Sequence, residues 1–231
     1  MRLGVLFSGG KDSCYALYRA IQYHQVKCLI TLKSSNQESY MFHTPNIDLT
    51  KLQSQAVNLP QIIKETKGKK EKELDDLKEA IKQAKDFFFI EGIVSGAIES
   101  IYQSIRIQKI CDELDLWCFN PLWQKDQIEL LRELVKNKFN VIIAGVFAYP
   151  FDKKWLGRKL DTKTIKELII LKEKYKINPS GEGGEIETFV LDAPFFNYKL
   201  KIEDYKIEYS NYRGIYKINK AQLIEKKIKK G

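Results

Sequence analysis

Short apolar runs alternate along this chain with stretches in which apolar residues recur every three or four positions. Arg2 to Phe7 is an apolar run that stops at Ser8-Gly9-Gly10, and such a run bounded by glycines predicts a buried strand. Cys14, Leu17, Tyr18 and Ile21 follow at helical spacing, so the first unit reads strand, glycine turn, helix. Lys27 to Leu32 predicts a second strand, and a polar loop from Lys33 to Pro45 follows. Asp48 to Asn58 predicts a helix, and Ile62-Ile63 a third strand. Glu71 to Lys85 is highly charged, but Leu74, Leu77, Ile81 and Ala84 line one face, as in an amphipathic surface helix. Gly92 to Gly96 predicts a fourth strand. Glu99 to Leu114 predicts a helix with Ile101, Ile105, Gln108 and Cys111 on successive turns. Trp117 to Trp123 is a short strand with an exit turn, Asp126 to Asn137 a helix, and Val141 to Val146 a further strand.

Strands alternating with helices predict an α/β fold, a Rossmann-like parallel sheet with helices on both faces. Ligands of such sheets bind beyond the carboxyl ends of the strands. Ser8-Gly9-Gly10, the Leu32-Lys33 junction and Gly96 all fall at such ends. After Tyr149 the texture changes. A helix from Thr162 to Lys174 and the glycine-rich Pro179 to Thr188 precede strands of alternating polarity, such as Lys199-Leu200-Lys201-Ile202. Two domains are expected, 1–148 and a smaller α+β part at 149–231, without internal repeats.

Composition narrows the class. The 231 residues are 44% hydrophobic and 30% charged, an ordinary globular balance in a chain long enough to bury a core. Neither a transmembrane run nor a signal peptide is apparent, so a cytoplasmic protein with no membrane partner is expected. Cys14, Cys28, Cys111 and Cys118 form no Cys-x-x-Cys pair, and His24 and His43 complete no ligand cluster with them, which argues for buried free thiols over a zinc or iron–sulfur site. The net charge of +9 suits a polyanionic partner, but it is mostly lysine spread along the chain, with a basic end at Lys226 to Lys230. Nucleic acid is therefore not the expected partner.

Candidate chemistry concentrates in Ser8-Gly9-Gly10-Lys11-Asp12-Ser13. The Walker pattern fails on spacing, because Gly4 stands one residue too far from Gly10 and Lys11 is followed by Asp12. A dinucleotide fingerprint is also absent. The physics still favours phosphate: glycines let backbone N–H groups approach oxygens, the helix offers its positive N-terminus, and Ser8, Ser13 and Lys11 add donors. Asp12 fits such a loop only if it faces a metal ion or caps its own helix.

The hexapeptide resembles the SGGxDS pyrophosphate loop of the ATP pyrophosphatases, or PP-loop enzymes, which have a HUP-type fold. The resemblance implies that ATP transfers AMP to a substrate oxygen, with pyrophosphate leaving. Gly181 to Thr188 (GEGGEIET), Val190 to Phe196, Ser95-Gly96-Ala97-Ile98, Tyr102-Gln103 to Arg106, Pro121-Leu122-Trp123 and Trp155-Leu156-Gly157-Arg158 are together similar to the diphthine–ammonia ligase signature, in order and spacing from end to end. Ile186 stands where that family often has an aromatic residue.

This resemblance implies an ATP-dependent ligase that amidates diphthine, a modified histidine of translation elongation factor 2, with ammonium to give diphthamide through an acyl-adenylate. ATP and Mg2+ are the implied cofactors, and elongation factor 2 and ammonium the partners; oligomeric state is open, a homodimer included. Ser8, Gly9, Gly10 and Ser13 would hold pyrophosphate, Lys11 would neutralise its charge, and Asp12 would serve the metal or the helix cap. Leu32 and Gly96 would contact adenosine through their backbone. Glu182, Glu185 and Glu187, with Gly183 and Gly184 between them, would recognise the trimethylammonium of diphthine or accept a proton from ammonium. Trp123, Trp155, Phe195, Phe196 and Tyr102 are the aromatic candidates for that cation, Arg106 and Arg158 the candidates for phosphate or substrate, and His43 reads as structural. Two alternatives stand beside this: a PP-loop enzyme modifying tRNA, and an ATP-binding regulatory module without catalysis.

Overall fold

The structure, a computed structural model, describes residues 1–34, 45–67 and 72–226. His43 and most of the basic end lie outside them. The element order begins β1 (Arg2–Leu6), α1 (Lys11–Ile21), β2 (Gln25–Ser34), α2 (Thr50–Val57), β3 (Gln61–Thr66), α3 (Lys72–Phe88), β4 (Gly92–Val94), α4 (Ile101–Glu113) and β5 (Trp117–Phe119). It continues with α5 (Gln127–Lys136), β6 (Asn140–Val146), α6 (Thr162–Tyr175), β7 (Ile186–Asp192), β8 (Tyr198–Ser210) and β9 (Arg213–Glu225).

These elements form two compact units. The first holds Met1–Thr50 and Leu59–Lys125. Its sheet runs β3-β2-β1-β4-β5, and every pairing is parallel. This is the Rossmann-like α/β arrangement, with β1 at the point where strand order reverses. On one face, Leu77, Ala80, Ile81 and Ala84 of α3 pack with Ile107, Ile110 and Cys111 of α4 over Cys28, Ile30, Ile62 and Ile93. The α3 stripe is the expected one, with Leu74 at its margin. The α4 stripe is rotated from expectation: Ile101 and Ile105 are exposed, because the sheet side of the helix is set by Ile107, Ile110 and Cys111. In α1 the buried set is Cys14, Tyr15, Ala16, Leu17 and Ala20, and Ile21 lies at the exposed margin.

The second unit holds Lys51–Asn58 and the chain from Asp126 onward. Its four-stranded sheet runs β7-β6-β9-β8, all antiparallel. Here β6 departs from expectation. It does not extend the parallel sheet but pairs with β7 and β9, so the units divide at 125/126 and not at 148/149. An apolar run such as Val141 to Val146 carries no mark of which sheet it will join. The α2 segment also belongs to this unit: Gln53 Nε2 donates to Val190 O at 2.7 Å, and Asn197 N donates to Ala56 O at 2.6 Å.

Candidate active site

The glycine loop leaves the carboxyl end of β1 under firm constraint. Phe7 N donates to Ile30 O at 2.8 Å, and Phe7 O accepts from Thr31 Oγ1 at 2.6 Å. Thr31 Oγ1 in turn accepts from Gln61 Nε2 at 2.7 Å, which also reaches Thr50 Oγ1 at 2.9 Å. Three strands or their extensions thus fix the point where the loop begins. Gly9 has φ +78°, a conformation that costs any residue with a Cβ. Gly10 is the N-cap of the eleven-residue α1 and supplies no side-chain cap, the kind of helix start at which anions bind. Ser13 Oγ accepts from Ser8 N at 3.3 Å and donates to Gly10 O at 3.2 Å, which closes the loop on itself.

Lys11 is only 3% exposed, and its Nζ lies 2.7 Å from Asp12 Oδ2. The other oxygen, Asp12 Oδ1, is buried and has no hydrogen-bond partner. Asp12 does not cap α1, so of its two expected roles the metal-facing one fits: a buried carboxylate oxygen without a donor suits a hard cation that takes its remaining ligands from phosphate and water. Among the described residues no group of three or more His, Cys, Asp or Glu could hold a metal alone. Burial and the neighbouring Asp12 push the Cys14 thiol well above its usual range, which makes it an inert core thiol.

Gly96 is where the β4 end meets the loop. A Cβ there would lie 2.8 Å from the Asp12 carbonyl carbon and 2.9 Å from Ser13 N, so only glycine permits this approach. Next to it, Ser95 Oγ bonds Asn120 Oδ1 and accepts from Ala97 N at 3.3 Å. Leu32 is buried in β2 and pairs with Lys64, and the strand runs on to Ser34. The strand end expected at the Leu32-Lys33 junction therefore lies two residues further along, because pairing with β3 continues through Thr66. Arg106 lies with its guanidinium carbon 3.4 Å from the centre of the Tyr102 ring, one helical turn away. Sequence reasoning missed Thr31, Gln61 and Asn120. All three are single polar residues within apolar runs, and that anomaly was their only signal.

The glutamate loop is built within the second unit. Glu185 Oε1 accepts from Asn178 N and Asn178 Nδ2, both at 2.9 Å, while Glu185 Oε2 is buried without a partner. Gln127 Oε1 accepts from Ser180 N and Ser180 Oγ at 3.2 and 2.9 Å, and Gln127 Nε2 donates to Asn178 Oδ1 at 3.3 Å. Gly181 has φ +83°, and a Cβ there would sit 2.4 Å from Ile186 O; Gly184 has φ +80° with open space around it. Gly183 is exposed, and Glu182 and Glu187 are half-buried.

Several expected residues are engaged with one another. Trp155 is buried edge-on against Phe151, with ring centres 5.1 Å apart. Arg158 lies over the Trp155 ring and forms a bidentate pair with Glu167 at 2.6 and 2.6 Å. Phe195 packs on Phe196 and Phe139. These residues are core and brace, and they form no cage.

Residues 1–117 match the family model described as the diphthamide synthase N-terminal domain, and residues 126–224 match its C-terminal domain. The chain belongs to the diphthamide synthase family. The boundary between the two matched segments falls where the structure divides its units. Within the family the chain is similar to the diphthine–ammonia ligase of Homo sapiens, 36% identical over 227 residues, covering 90% of this chain and 85% of that one. The Danio rerio diphthine–ammonia ligase is 33% identical over 222 residues, covering 88% and 87%. The Schizosaccharomyces pombe diphthine–ammonia ligase is 32% identical over 244 residues; the match takes in 98% of this chain but 40% of that protein. No helix among the described residues is long and apolar enough to cross a membrane.

Proposed function

We propose that this diphthamide synthase family member amidates diphthine on translation elongation factor 2, consuming ATP and ammonium and releasing AMP and pyrophosphate. The observation that supports the reading is the glycine loop at the switch point of the sheet, with Lys11 buried in it and Gly96 backing it, in a chain matched across both family domains.

The first unit is the ATP-binding domain. Ser8, Gly9, Gly10 and Ser13 receive the β,γ-phosphates through backbone and hydroxyl donors, and Lys11 stabilises charge as pyrophosphate departs. Asp12 Oδ1 would hold Mg2+, which would supply neutralisation of the leaving group's charge. Leu32 and Gly96 border the adenosine through their backbone. A carboxylate is a poor acyl donor, since oxide is a poor leaving group. Attack of a carboxylate oxygen on the α-phosphorus of ATP expels pyrophosphate and forms a mixed anhydride with AMP, and attack of ammonia on the carbonyl then expels AMP.

The second unit is the substrate domain. Glu185, with one oxygen tied to Asn178 and the other unpartnered, serves as proton acceptor for ammonium, and Glu182 and Glu187 with Gly183 and Gly184 shape the same loop. Tyr102 and Arg106, which belong to the first unit, contact substrate or phosphate. Arg158, committed to Glu167, positions its own loop.

The test incubates the protein with ATP, Mg2+, ammonium and elongation factor 2 halted at diphthine, then weighs the modified peptide. Conversion of acid to amide that requires both ATP and ammonium is the expected result. An unchanged peptide, with AMP formed instead on adding tRNA, would replace this reading by tRNA modification.

A further inference from the structure

Three tyrosines gather at the end of the second sheet that also carries the glutamate loop. Tyr149 follows β6 by three residues, Tyr212 occupies the β8–β9 turn and Tyr175 closes α6. The Tyr149 ring lies 5.1 Å from that of Tyr175 at 85° and 5.0 Å from that of Tyr212 at 83°. Edge-to-face rings of this kind usually belong to a core, yet Tyr149 is 56% exposed and Tyr212 44%.

The backbone under Tyr212 is also unusual. Asn211 and Tyr212 both have positive φ, 47° and 60°, in a two-residue turn between the paired Ser210 and Arg213. Such turns favour Asn-Gly, and a bulky residue in the second place costs energy that glycine would avoid. The ring therefore stands there against the preference of the turn.

These tyrosines also flank Glu185 through the chain. Phe147 N, two residues before Tyr149, donates to Glu185 O at 2.9 Å. Asn178, three residues after Tyr175, holds Glu185 Oε1. Gly214, two residues after Tyr212, pairs with Val146, which pairs with Ile186. Aromatic faces and carboxylates on one sheet end are the combination that recognises an organic cation. Lys174 Nζ already lies 5.1 Å from the centre of the Tyr175 ring. A quaternary ammonium donates no hydrogen bond, so ring faces suit it better than carboxylates alone.

We propose that Tyr149, Tyr175 and Tyr212 form the surface that binds the quaternary ammonium of the protein substrate. This takes the place of the aromatic set named from sequence, and it rests on the reading that the substrate carries diphthine.

Two measurements test it with the full chain. Choline and its uncharged isostere 3,3-dimethylbutan-1-ol are titrated while the tyrosine ring resonances are followed by NMR. A saturable choline response, with the isostere about tenfold weaker, that is lost in Tyr149→Ala and kept in Tyr149→Phe is the expected result. An equal response to both compounds, no saturable choline response, or one that survives Tyr149→Ala with Tyr212→Ala, overturns the proposal. In steady-state amidation, Tyr149→Ala should raise KM for the elongation factor about tenfold while kcat and KM for ATP stay near wild type; an unchanged KM overturns the proposal. If the wild-type protein does not amidate at all, the proposed function fails while the choline titration still decides the cation site.

Discussion

Lys11 and Asp12 are sequence neighbours whose side chains meet at 2.7 Å, the lysine almost wholly buried and the aspartate left with one unpartnered oxygen. The pair stands at the first turn of α1, where phosphate is expected to arrive. A charge held in a buried site is worth more toward a developing anion than the same charge in water. Lys11→Met should therefore reduce pyrophosphate release by about 100-fold or more, with far-UV circular dichroism unchanged. Activity within a few-fold of wild type would exclude Lys11 from the chemistry.

Gly96 and Gly184 separate two kinds of glycine requirement. Alanine at Gly96 meets the Asp12–Ser13 backbone at 2.8 Å, so Gly96→Ala should displace the anion loop and weaken ATP binding at least tenfold by calorimetry. Gly184→Ala meets nothing, but it must adopt φ +80°, at a cost of about 1 kcal/mol. Its effect should appear in thermal stability, with ATP affinity unaltered.

Thr31 joins Phe7 O to Gln61, and Thr31→Val removes the hydroxyl while keeping the shape. Phe7 O and Gln61 Nε2 each lose a buried partner, which should destabilise the protein by about 1–3 kcal/mol in urea unfolding. KM for ATP should rise as well, since Phe7 O anchors the start of the loop. A stability loss without any change in KM would separate the anchor from the site.

Glu185→Gln retains an acceptor for Asn178 and removes the charge. Amide formation should fall while ATP binding, measured on the first unit's own site, persists. Equal activity of the variant at every pH would remove Glu185 as the proton acceptor.

The Arg158–Glu167 pair predicts an acid-side effect on stability. The hydrogen-bonded guanidinium holds the Glu167 carboxyl below the ordinary glutamate range. A carboxyl with a lowered folded-state pKa contributes stability above its unfolded value, and that contribution disappears as pH falls through the lower folded value. Denaturant unfolding of wild type and Glu167→Gln should therefore differ at pH 7 and converge in acid below the ordinary glutamate pKa. The difference should be under about 1 kcal/mol, because both side chains retain solvent contact.

Much of this is legible in the sequence. The β1–loop–α1 unit declared itself through an apolar run, two glycines and helical spacing, because local sequence decides local structure there. The amphipathic stripe of α3 was equally plain. Three things were not. The sheet that β6 joins depends on partners more than 40 residues away, Glu187 and Thr188 among them. The buried side of α4 depends on which of several isoleucines meets α3. The tyrosine cluster brings together residues 149, 175 and 212, and no spacing rule links them. For the glutamate loop, sequence supplied the residues, but Asn178 and Gln127, which fix Glu185 and Ser180, carried no mark of their task.

The polypeptide passes between its two units at 50/51, at 58/59 and again at 125/126. Severing it at the last of these would leave the N-terminal fragment with a stray helix whose Gln53 amide has lost its acceptor. The C-terminal fragment would keep Val190 O without its donor and Ala193 to Asn197 without the Ala56 carbonyl beneath it. Neither fragment should fold well alone, and the two should recover when expressed together. The threaded helix makes this protein a single heritable piece, in which neither half can be exchanged without carrying eight residues from the other.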